Sequence, residues 1–456
     1  MYRKVTEIKE KVIKKVKENN LLKRIIQALI FGAGGAVISK GLLMLFNIVI
    51  ARILTEQDYG AYSLINNTVQ TFIVFAGAGI GVTLTRYVAL YRDKNKEMAG
   101  IIIGTLLLIN VIISLIVALI VFIFAGSIAN ILNSDIDITH LLRITAFTIF
   151  FTSVVSIIQG TLQGFEEYKI NAYIQIIANL INFLIGVLIT KLFGITGAVC
   201  ALLILQIIML AMMIRNLMKR LKKDSIRLKY NFLKEVKEAL LKVTIPSFFA
   251  SIFVIPLMWF TNFYFSSKIG LEEFAAFSVC MQWFNIINYI PQQFGQLKPI
   301  YTQLYDSNNF KEMSKCLHKV IIFSTAFAVI CSIIFIFAKN IILGSYGEYY
   351  KQFGTSFTVM IIATIAFAIQ SQYGSVFQAI GKSWLCFLLN TIWAIVYIII
   401  FFFIYKKGVI GYAYTYLISY IVYSISSSIV FYYVIRKKKK NENSEGSNYK
   451  DFNIDN

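Results

Sequence analysis

The chain has 456 residues, of which 58% are hydrophobic and 15% charged, and its formal net charge is +21. The apolar residues come in about twelve blocks of roughly 20 residues, the length that crosses a bilayer, which excludes a soluble fold. Membrane topology and attraction to anionic lipid explain the positive charge, so nucleic acid is a poor candidate partner.

Residues 1–28 form a basic N-terminal segment. Val5, Ile8, Val12 and Val16 fall on one helical face of this segment, which predicts an amphipathic helix lying at the membrane interface. The segment has no short apolar core before a small-residue cleavage site, so we do not expect a cleaved signal peptide.

Six predicted spans lie in each half of the chain. Their approximate limits are 29–51, 59–85, 98–124, 139–163, 170–190, 196–218, 243–266, 274–297, 317–338, 355–380, 384–405 and 409–435. The predicted domains are an N-terminal six-helix lobe, a cytoplasmic basic linker, a C-terminal six-helix lobe and a disordered basic and polar tail. They cover residues 29–218, 219–242, 243–435 and 436–456 respectively.

The second lobe repeats the first at an offset of about 215 residues. Three pairs of segments keep this register to within one residue: 59–64 and 274–279, 96–98 and 311–313, and 194–197 and 408–411. Because each copy has an even number of spans, both enter the membrane in the same orientation. The sequence therefore predicts an all-α integral membrane protein with two parallel six-helix repeats around a central cleft, a construction typical of transporters.

Basic residues predict the orientation of the bundle. If both termini are cytoplasmic, the cytoplasmic segments hold most of the 44 Lys and Arg residues. The outer loops then hold only Arg52, Lys191, Lys268, Lys339, Lys351, Lys406 and Lys407. Because positively charged loops stay inside, we expect a multi-pass protein of the plasma (inner) membrane with both termini cytoplasmic.

The predicted spans contain no Asp or Glu, whereas a pump for cationic drugs usually needs an intramembrane carboxylate. Lys40 lies near the middle of the first span, where a cation should face a cavity or an anion. A misplaced start of the span, or a lysine hydrated without ligand contact, would also explain it. Arg143 lies about one turn into its span and could instead reach the outer interface.

Uncharged amides form rows on three spans. The row on the eighth span consists of Gln282, Asn285, Asn288, Gln292 and Gln296. In the second span, Asn67 and Gln70 align with Gln282 and Asn285 at the repeat offset. Two equivalent rows beside aromatic side chains suit a cavity that binds a sugar headgroup, although amide rows also hold helices together. For a similar row on the fifth span (171, 175, 179 and 182), both interpretations stay open.

Helix breakers concentrate on the seventh and eighth spans, which contain all four prolines of the chain within them or at their ends. In the stretch that matches Pro291 to Gly295, residues 76–80, the second span contains Gly77 and Gly79. Bends at equivalent positions predict hinges at Gly77, Gly79, Pro256 and Pro291, although static kinks needed for packing would give the same pattern.

No pattern in the chain indicates catalysis. The loops are too short for a catalytic domain, and there is no nucleophile motif, phosphate loop or pair of carboxylates. The five cysteines have no paired spacing and only two histidines could assist them, so we expect no metal site and no cofactor. The sequence argues against an enzyme.

Four segments carry a resemblance to a known family: 52–54 (RIL), 58–62 (DYGAY), 79–87 (GIGVTLTRY) and 159–165 (QGTLQGF). They resemble the polysaccharide biosynthesis and export family, which includes O-antigen-type flippases and belongs to the multidrug/oligosaccharidyl-lipid/polysaccharide exporter superfamily. The resemblance implies two six-helix lobes that alternate between inward-open and outward-open states. It also implies a polyprenyl-diphosphate-linked oligosaccharide as cargo and a positively lined cavity, which Lys40 fits.

The predicted function is therefore a lipid-linked oligosaccharide flippase. A multidrug exporter of the same fold is the alternative, and a peptidoglycan-precursor-type flippase is a third, although those often carry extra spans. We expect Lys40 to be the principal anion ligand, assisted from the cavity ends by Arg86, Lys298 or Arg143. The predicted substrate-binding amides are Asn67, Gln70, Gln282 and Asn285. Glycosyltransferases or a polymerase of the same pathway could be protein partners.

Overall fold

The computed structural model describes residues 34–132, 138–245 and 254–451, and in these ranges the chain is helical without any strand. The predicted amphipathic segment, residues 1–28, lies outside them. The helices are, in chain order, α1 (Gly35–Ile53), α2 (Glu56–Phe75), α3 (Ala78–Tyr91), α4 (Lys96–Ile123), α5 (Ala125–Leu132), α6 (Thr139–Gly164), α7 (Tyr168–Lys223), α8 (Lys234–Ala239), α9 (Val254–Ile269), α10 (Leu271–Gln293), α11 (Lys298–Asp306), α12 (Phe310–Phe337), α13 (Lys339–Tyr346), α14 (Gly354–Ala379), α15 (Ser383–Ile404) and α16 (Val409–Asp451).

Eight helices in the described part of the chain are long and apolar enough to cross a membrane, and the bent pair α2 and α3 would make a ninth. Helix α7 supplies two of the predicted spans, because its backbone leaves the helical region at Gly194 (φ 57°, ψ −137°). Just beyond, Gly197 packs so closely on Ile189 that an added Cβ would collide with the Ile189 carbonyl oxygen. The all-α membrane fold is confirmed, and the count of twelve spans stays a prediction.

The chain forms two compact units, Met1–Ser267 and Lys268–Asn456. The predicted C-terminal lobe begins at residue 243, whereas the whole of the seventh predicted span, 243–266, lies in the first unit. Contacts within that unit explain the difference. Oγ1 of Thr83 on α3 lies 2.7 Å from Oγ1 of Thr244, and the indole of Trp259 on α9 donates to Thr68 on α2.

Small residues allow close packing of helices in the first unit. An added Cβ on Gly160 of α6 would collide with the carbonyl oxygen of Gly81 on α3, and Thr85 donates to the carbonyl oxygen of Gly160 at 2.9 Å. Such crossings stabilise membrane bundles through close contact, because lipid supplies no hydrophobic force between helices. Apolar side chains of α3, α4, α6 and α7 form the buried core around this crossing.

Ion pairs close one end of the first unit. Arg92, which follows α3, donates to Glu166 at 2.6 Å. Arg220 near the end of α7 donates to Glu167 at 2.7 Å and to Asp224 at 2.9 Å. Because Glu166 and Glu167 occupy the short loop between α6 and α7, these pairs tie the ends of three helices together on the side that leads into the linker.

The second unit has an aromatic core. The rings of Phe277 and Tyr412 stack with their centroids 4.1 Å apart, and the hydroxyl of Tyr397 donates to that of Tyr412 at 3.1 Å. Trp393 is 2% exposed and stacks on Tyr397 at 4.9 Å. Since these rings come from α10, α15 and α16, aromatic packing joins three helices of the unit.

The last helix, α16, passes the predicted end of the lobe at residue 435 and continues to Asp451. This differs from the disordered tail that polar composition predicts for residues 436–456. Lysine and glutamate are good helix formers, and a helix that already exists is extended at little cost, which accounts for the difference. Residues 452–456 lie outside the described part of the chain.

Candidate functional site

Lys40 and Gln70 lie at a similar depth on consecutive helices of the first unit. Helix α1 ends at Ile53 and α2 begins at Glu56. At 1.5 Å per residue from this turn, Lys40 lies about 20 Å along α1 and Gln70 about 21 Å along α2. Both residues are exposed. A cation and an uncharged amide therefore lie at similar distances along α1 and α2 from the turn that joins these helices.

Asn67 and Trp259 form a polar and aromatic patch on the same unit. The Oδ1 atom of Asn67 is buried and has no hydrogen-bond partner among the described residues. The neighbouring Thr68 accepts a 3.0 Å hydrogen bond from the indole of Trp259, whose ring meets Phe72 edge-on at 5.9 Å. The ring of Trp259 also packs on Phe263 at 5.3 Å, and the Asn67 oxygen is an acceptor that becomes available to a sugar hydroxyl only if a change of conformation uncovers it.

The amide row of the second unit divides between exposed and buried positions. Asn285 lies about 21 Å from the start of α10, as Gln70 does from the start of α2, and both are exposed. Gln282 is half-buried and accepts a 3.2 Å hydrogen bond from the hydroxyl of Tyr346. Asn288 is fully buried and donates to a backbone carbonyl of its own helix. Among the members of this row whose burial the structure describes, Asn285 and Gln292 are therefore the exposed ones.

The amide row of the fifth predicted span holds helices together. Asn179 on α7 donates to Ser39 on α1 at 2.9 Å and to the carbonyl oxygen of Gln175 at 2.8 Å. Asn171 and Asn182 are also buried. Of the two interpretations that the sequence leaves open for this row, the structure favours contact between helices.

The other predicted cations each have surroundings of their own. Arg143 lies in the first turn of α6, with its guanidinium 5.7 Å from the ring centroid of Phe122 near the end of α4. Arg86 is exposed near the end of α3, towards the opposite side of the unit. Lys298 belongs to the second unit and donates to the side-chain oxygen of Gln378 at 2.6 Å. An arginine one turn into a span reaches its interface, which explains the position of Arg143.

The second predicted span is broken between α2 and α3, which meet at a bend of 53°. Gly77 has a φ of +134°, and an added Cβ would collide with the side-chain nitrogen of Asn110, so the break requires glycine. The carbonyl oxygen of Ala76 accepts hydrogen bonds from Asn110 at 2.7 Å and from Ser153 at 2.9 Å. Side chains of α4 and α6 thus satisfy a backbone group that a membrane would leave unpaired.

The second unit has a comparable arrangement at the repeat offset from Ala76. Pro291 lies inside α10 and is buried, and its carbonyl oxygen accepts a 3.0 Å hydrogen bond from the side-chain nitrogen of Gln372 on α14. A 3₁₀ turn, Phe294–Leu297, follows. In each unit, then, a backbone carbonyl at an interruption, after α2 in the first unit and within α10 in the second, is bonded by a side-chain amide from a neighbouring helix.

The two other predicted hinge residues have different surroundings. An added Cβ on Gly79 would collide with the carbonyl oxygen of Thr244, so this glycine permits the 240–244 turn to approach α3. Pro256 lies near the start of the described part of α9. Their roles as hinges stay predictions.

Sequence analysis misses Asn110, Ser153 and Gln372 as functional candidates. Asn110 is a single amide within a long apolar stretch, and a lone polar residue in a membrane helix does indicate a buried hydrogen bond. Its partner here is a backbone carbonyl, which has no signature in the sequence. The three residues become visible only once helix packing is known.

This arrangement of long apolar helices with a few polar side chains defines a multi-pass membrane protein. A family model described as polysaccharide biosynthesis protein matches residues 25–262, and a second, described as MatE, matches residues 246–402. Since the first match covers more than half of the chain, the chain belongs to the polysaccharide biosynthesis protein family.

Two curated proteins are similar over most of the chain. The EPS I polysaccharide export inner membrane protein EpsE of Ralstonia nicotianae is 22% identical over 387 residues, which cover 82% of this chain and 85% of that protein. The protein of the same name from Ralstonia solanacearum is 21% identical over 380 residues, with the same coverage. These relatives are exporters, so the chain is a transporter and not an enzyme.

Solved structures share the fold at low sequence identity. An inward-facing multidrug resistance MATE family transporter of the MOP superfamily matches with a TM-score of 0.72 at 15% identity, covering 88% of this chain and 96% of that one. A MOP superfamily transporter from Pyrococcus furiosus, described as having a binding pocket of reverse polarity, matches with a TM-score of 0.67 at 14% identity, covering 90% and 96%. The chain is thus a multi-pass inner-membrane exporter with the MATE-type fold.

Proposed function

We propose that the chain moves a polyprenyl-diphosphate-linked oligosaccharide from the inner to the outer leaflet by alternating access, for synthesis of a cell-surface polysaccharide. The observation that carries the proposal is the exposed pair Lys40 and Gln70 at one depth of the first unit, with Asn285 at the matching depth of the second. Membership of the polysaccharide biosynthesis family and similarity to an EPS I export protein support it.

Each part of such a cargo has a chemical counterpart on the chain. A diphosphate loses water when it enters a membrane cavity, and a fixed ammonium group at Lys40 offsets part of that cost. The sugar hydroxyls can exchange hydrogen bonds with Asn67 and Gln70, and the ring of Trp259 offers a flat apolar face. The polyprenyl tail needs no site on the protein, because it stays in lipid.

A multidrug exporter of the same fold is the alternative. Cationic drugs are usually held by an intramembrane carboxylate, and the predicted spans of this chain contain no Asp or Glu. Lys40 would repel a cationic drug at the depth where a ligand would bind. The charge of the spans therefore favours an anionic cargo.

The orientation of the proposed transport follows from the basic residues. Both termini and the linker 219–242 would be cytoplasmic, since most Lys and Arg residues lie on that side. The cargo would enter from the cytoplasmic leaflet, where glycosyltransferases of the same pathway could deliver it.

Replacement of Lys40 tests the proposal. Lys40→Ala should lower the translocation of lipid-linked oligosaccharide by about 10- to 100-fold, the value of a hydrogen bond to a charged group. Lys40→Arg keeps the charge and should keep partial activity. Lys40→Glu should be at least as damaging as Lys40→Ala, because it places repulsion where attraction is needed. The measurement is surface polysaccharide in a deletion strain that expresses each variant.

Lys191→Glu is the matched control, since Lys191 is an exposed residue of α7 that is expected to lie near the outer interface. It should leave the polysaccharide unchanged, and immunoblots should show equal membrane abundance for every variant. Normal polysaccharide with Lys40→Glu at normal abundance would remove Lys40 from the mechanism and favour the drug exporter.

A further inference from the structure

The second unit carries a basic groove along the first turns of α12. The groove has a volume of 510 Å³ and is lined by Lys311, Ser314, Lys315, His318, Lys319 and Ile322. Its three lysines are exposed and recur every four residues, so they lie on one face of the helix. They place three ammonium groups along about 12 Å of helix.

Two contacts define how the groove can bind a ligand. Lys315 pairs with Glu312 at 2.7 Å, and the two side chains are 54% and 52% exposed. A pair this exposed is weak, so an anion can draw Lys315 away from Glu312. Nδ1 of His318 donates to the carbonyl oxygen of Ser314 at 2.6 Å, and Nε2 lies 2.7 Å from the hydroxyl of Tyr432 on α16. The imidazole ring is thereby held between the two helices.

The exposed face of α12 continues from the groove as an apolar surface. Ile322, Ile330, Ile333 and Phe337 are 67%, 58%, 51% and 87% exposed. They follow Lys319 at helical spacing, so one face of α12 carries cations at its start and large apolar side chains along the rest. An anionic phospholipid has the complementary arrangement along its length, with a negative headgroup at one end and apolar acyl chains along the rest.

We propose that this groove binds the headgroup of an anionic phospholipid, with the phosphate among Lys311, Lys315 and Lys319 and an acyl chain along Ile322 to Phe337. Helix α12 has 28 residues and is apolar enough to cross the membrane, so its first turns lie at the interface where headgroups reside. Basic pockets at such positions bind anionic headgroups. A soluble phosphate would make no use of the apolar surface. The proposal does not depend on the nature of the cargo.

Native mass spectrometry of the purified full chain tests the proposal. Dioleoyl phosphatidylglycerol is titrated into the detergent-solubilised protein, with dioleoyl phosphatidylcholine as the neutral probe. The variant replaces the three lysines with glutamine (Lys311→Gln, Lys315→Gln, Lys319→Gln). The matched control removes the same charge from exposed lysines at the end of α7 (Lys219→Gln, Lys222→Gln, Lys223→Gln).

The wild type should bind the first phosphatidylglycerol at least about tenfold more tightly than phosphatidylcholine. The groove variant should lose this preference, the α7 control should keep it, and millimolar glycerol 3-phosphate should not displace the lipid. A milder variant, Lys311→Gln with Lys319→Gln, should give an intermediate loss and serves if the triple variant unfolds. Equal losses in the groove variant and the control would overturn the proposal. So would displacement of phosphatidylglycerol by equimolar undecaprenyl diphosphate, since the groove would then belong to the cargo.

Discussion

Gln70 and Asn285 are exposed amides of the membrane helices, whereas Asn179 and Asn288 are buried amides that bond to the protein itself. Gln70 and Asn285 are exposed at matching depths of their units. Asn179 and Asn288 are buried, and each donates to a protein oxygen. The first pair should therefore affect transport, and the second pair should affect stability.

Replacing both exposed amides tests their role in binding. Gln70→Leu together with Asn285→Leu should lower oligosaccharide translocation by roughly 10- to 30-fold, because each amide contributes about 1 kcal/mol of hydrogen bonding to the sugar. The melting temperature of the purified protein should stay unchanged, since neither side chain is buried. Transport is measured per unit of protein in the membrane.

Asn179→Leu is the control at a buried amide, for which the opposite result is expected. It breaks the bond to Ser39 and should lower stability by about 1–2 kcal/mol, while transport per folded molecule stays near that of the wild type. If the exposed pair lowered the melting temperature and left transport intact, the division between binding and structural amides would be wrong.

At the scale of elements, the interruptions after α2 and within α10 are local departures from regular helix at equivalent places in the repeat. Ala76 presents its carbonyl to Asn110 and Ser153, and Pro291 presents its carbonyl to Gln372. Each interruption is bonded to neighbouring helices, so it is a defined bend with its polar groups satisfied. Bends of this kind can act as hinges only if these hydrogen bonds are exchanged during movement.

The bend in the first unit should depend on the backbone of Gly77. Gly77→Ala should destabilise the protein by about 1–3 kcal/mol, because an alanine is strained at φ +134° and its Cβ would displace Asn110. The measurement is the melting temperature of the purified protein in detergent.

Gly374→Ala is the matched control for this change. Gly374 lies inside α14, and a Cβ there would meet nothing within 4 Å. It should be neutral or should stabilise the protein by up to about 1 kcal/mol, because alanine is the better helix former. Equal melting temperatures for the two variants would show that Gly77 is not constrained as described.

The bends were predictable from the sequence, and the groups that bond to them were not. Gly77 and Pro291 are helix-breaking residues in equivalent stretches of the two halves, so the identities of single residues suffice to predict an interruption. Whether Asn110 or Gln372 reaches a freed carbonyl depends on which helices are neighbours. The same holds for the amides. Asn179 and Gln70 both belong to rows at helical spacing, and only the packing of the helices shows that Asn179 is buried and Gln70 is exposed.

At the scale of the whole molecule, the internal repeat is visible in the geometry of equivalent turns. Gly194 and Gly408 both have positive φ, 57° and 70°. An added Cβ on Gly197 or on Gly411 would collide with a carbonyl oxygen of the preceding helix in each case. The turns at Gly194–Gly197 and Gly408–Gly411 therefore use glycine at the same two positions, once in each half of the chain. We expect residues 29–218 and 243–435 to superpose as two lobes related by rotation about the membrane normal.

The predicted orientation can be tested by cysteine labelling. In a background with the five native cysteines replaced by serine, Lys94→Cys and Ser307→Cys should react with a membrane-impermeant maleimide only after the inner membrane is permeabilised. Lys191→Cys and Lys407→Cys should react in cells with an intact inner membrane, because their loops are predicted to be outside. Reaction of Lys94→Cys in such cells would reverse the proposed topology.

The central claim is that the chain translocates a lipid-linked oligosaccharide, and the most direct test is translocation by the purified protein. Proteoliposomes are prepared with a polyprenyl-diphosphate-linked oligosaccharide in both leaflets, and a membrane-impermeant glycosidase then digests the outward-facing sugar. With the wild type, digestion should proceed from about half of the cargo towards all of it. With Lys40→Ala the second half should be digested about 10- to 100-fold more slowly, and with empty liposomes digestion should stop near half. Digestion that stops near half with the wild type, together with uptake of a cationic drug by the same vesicles, would contradict the account.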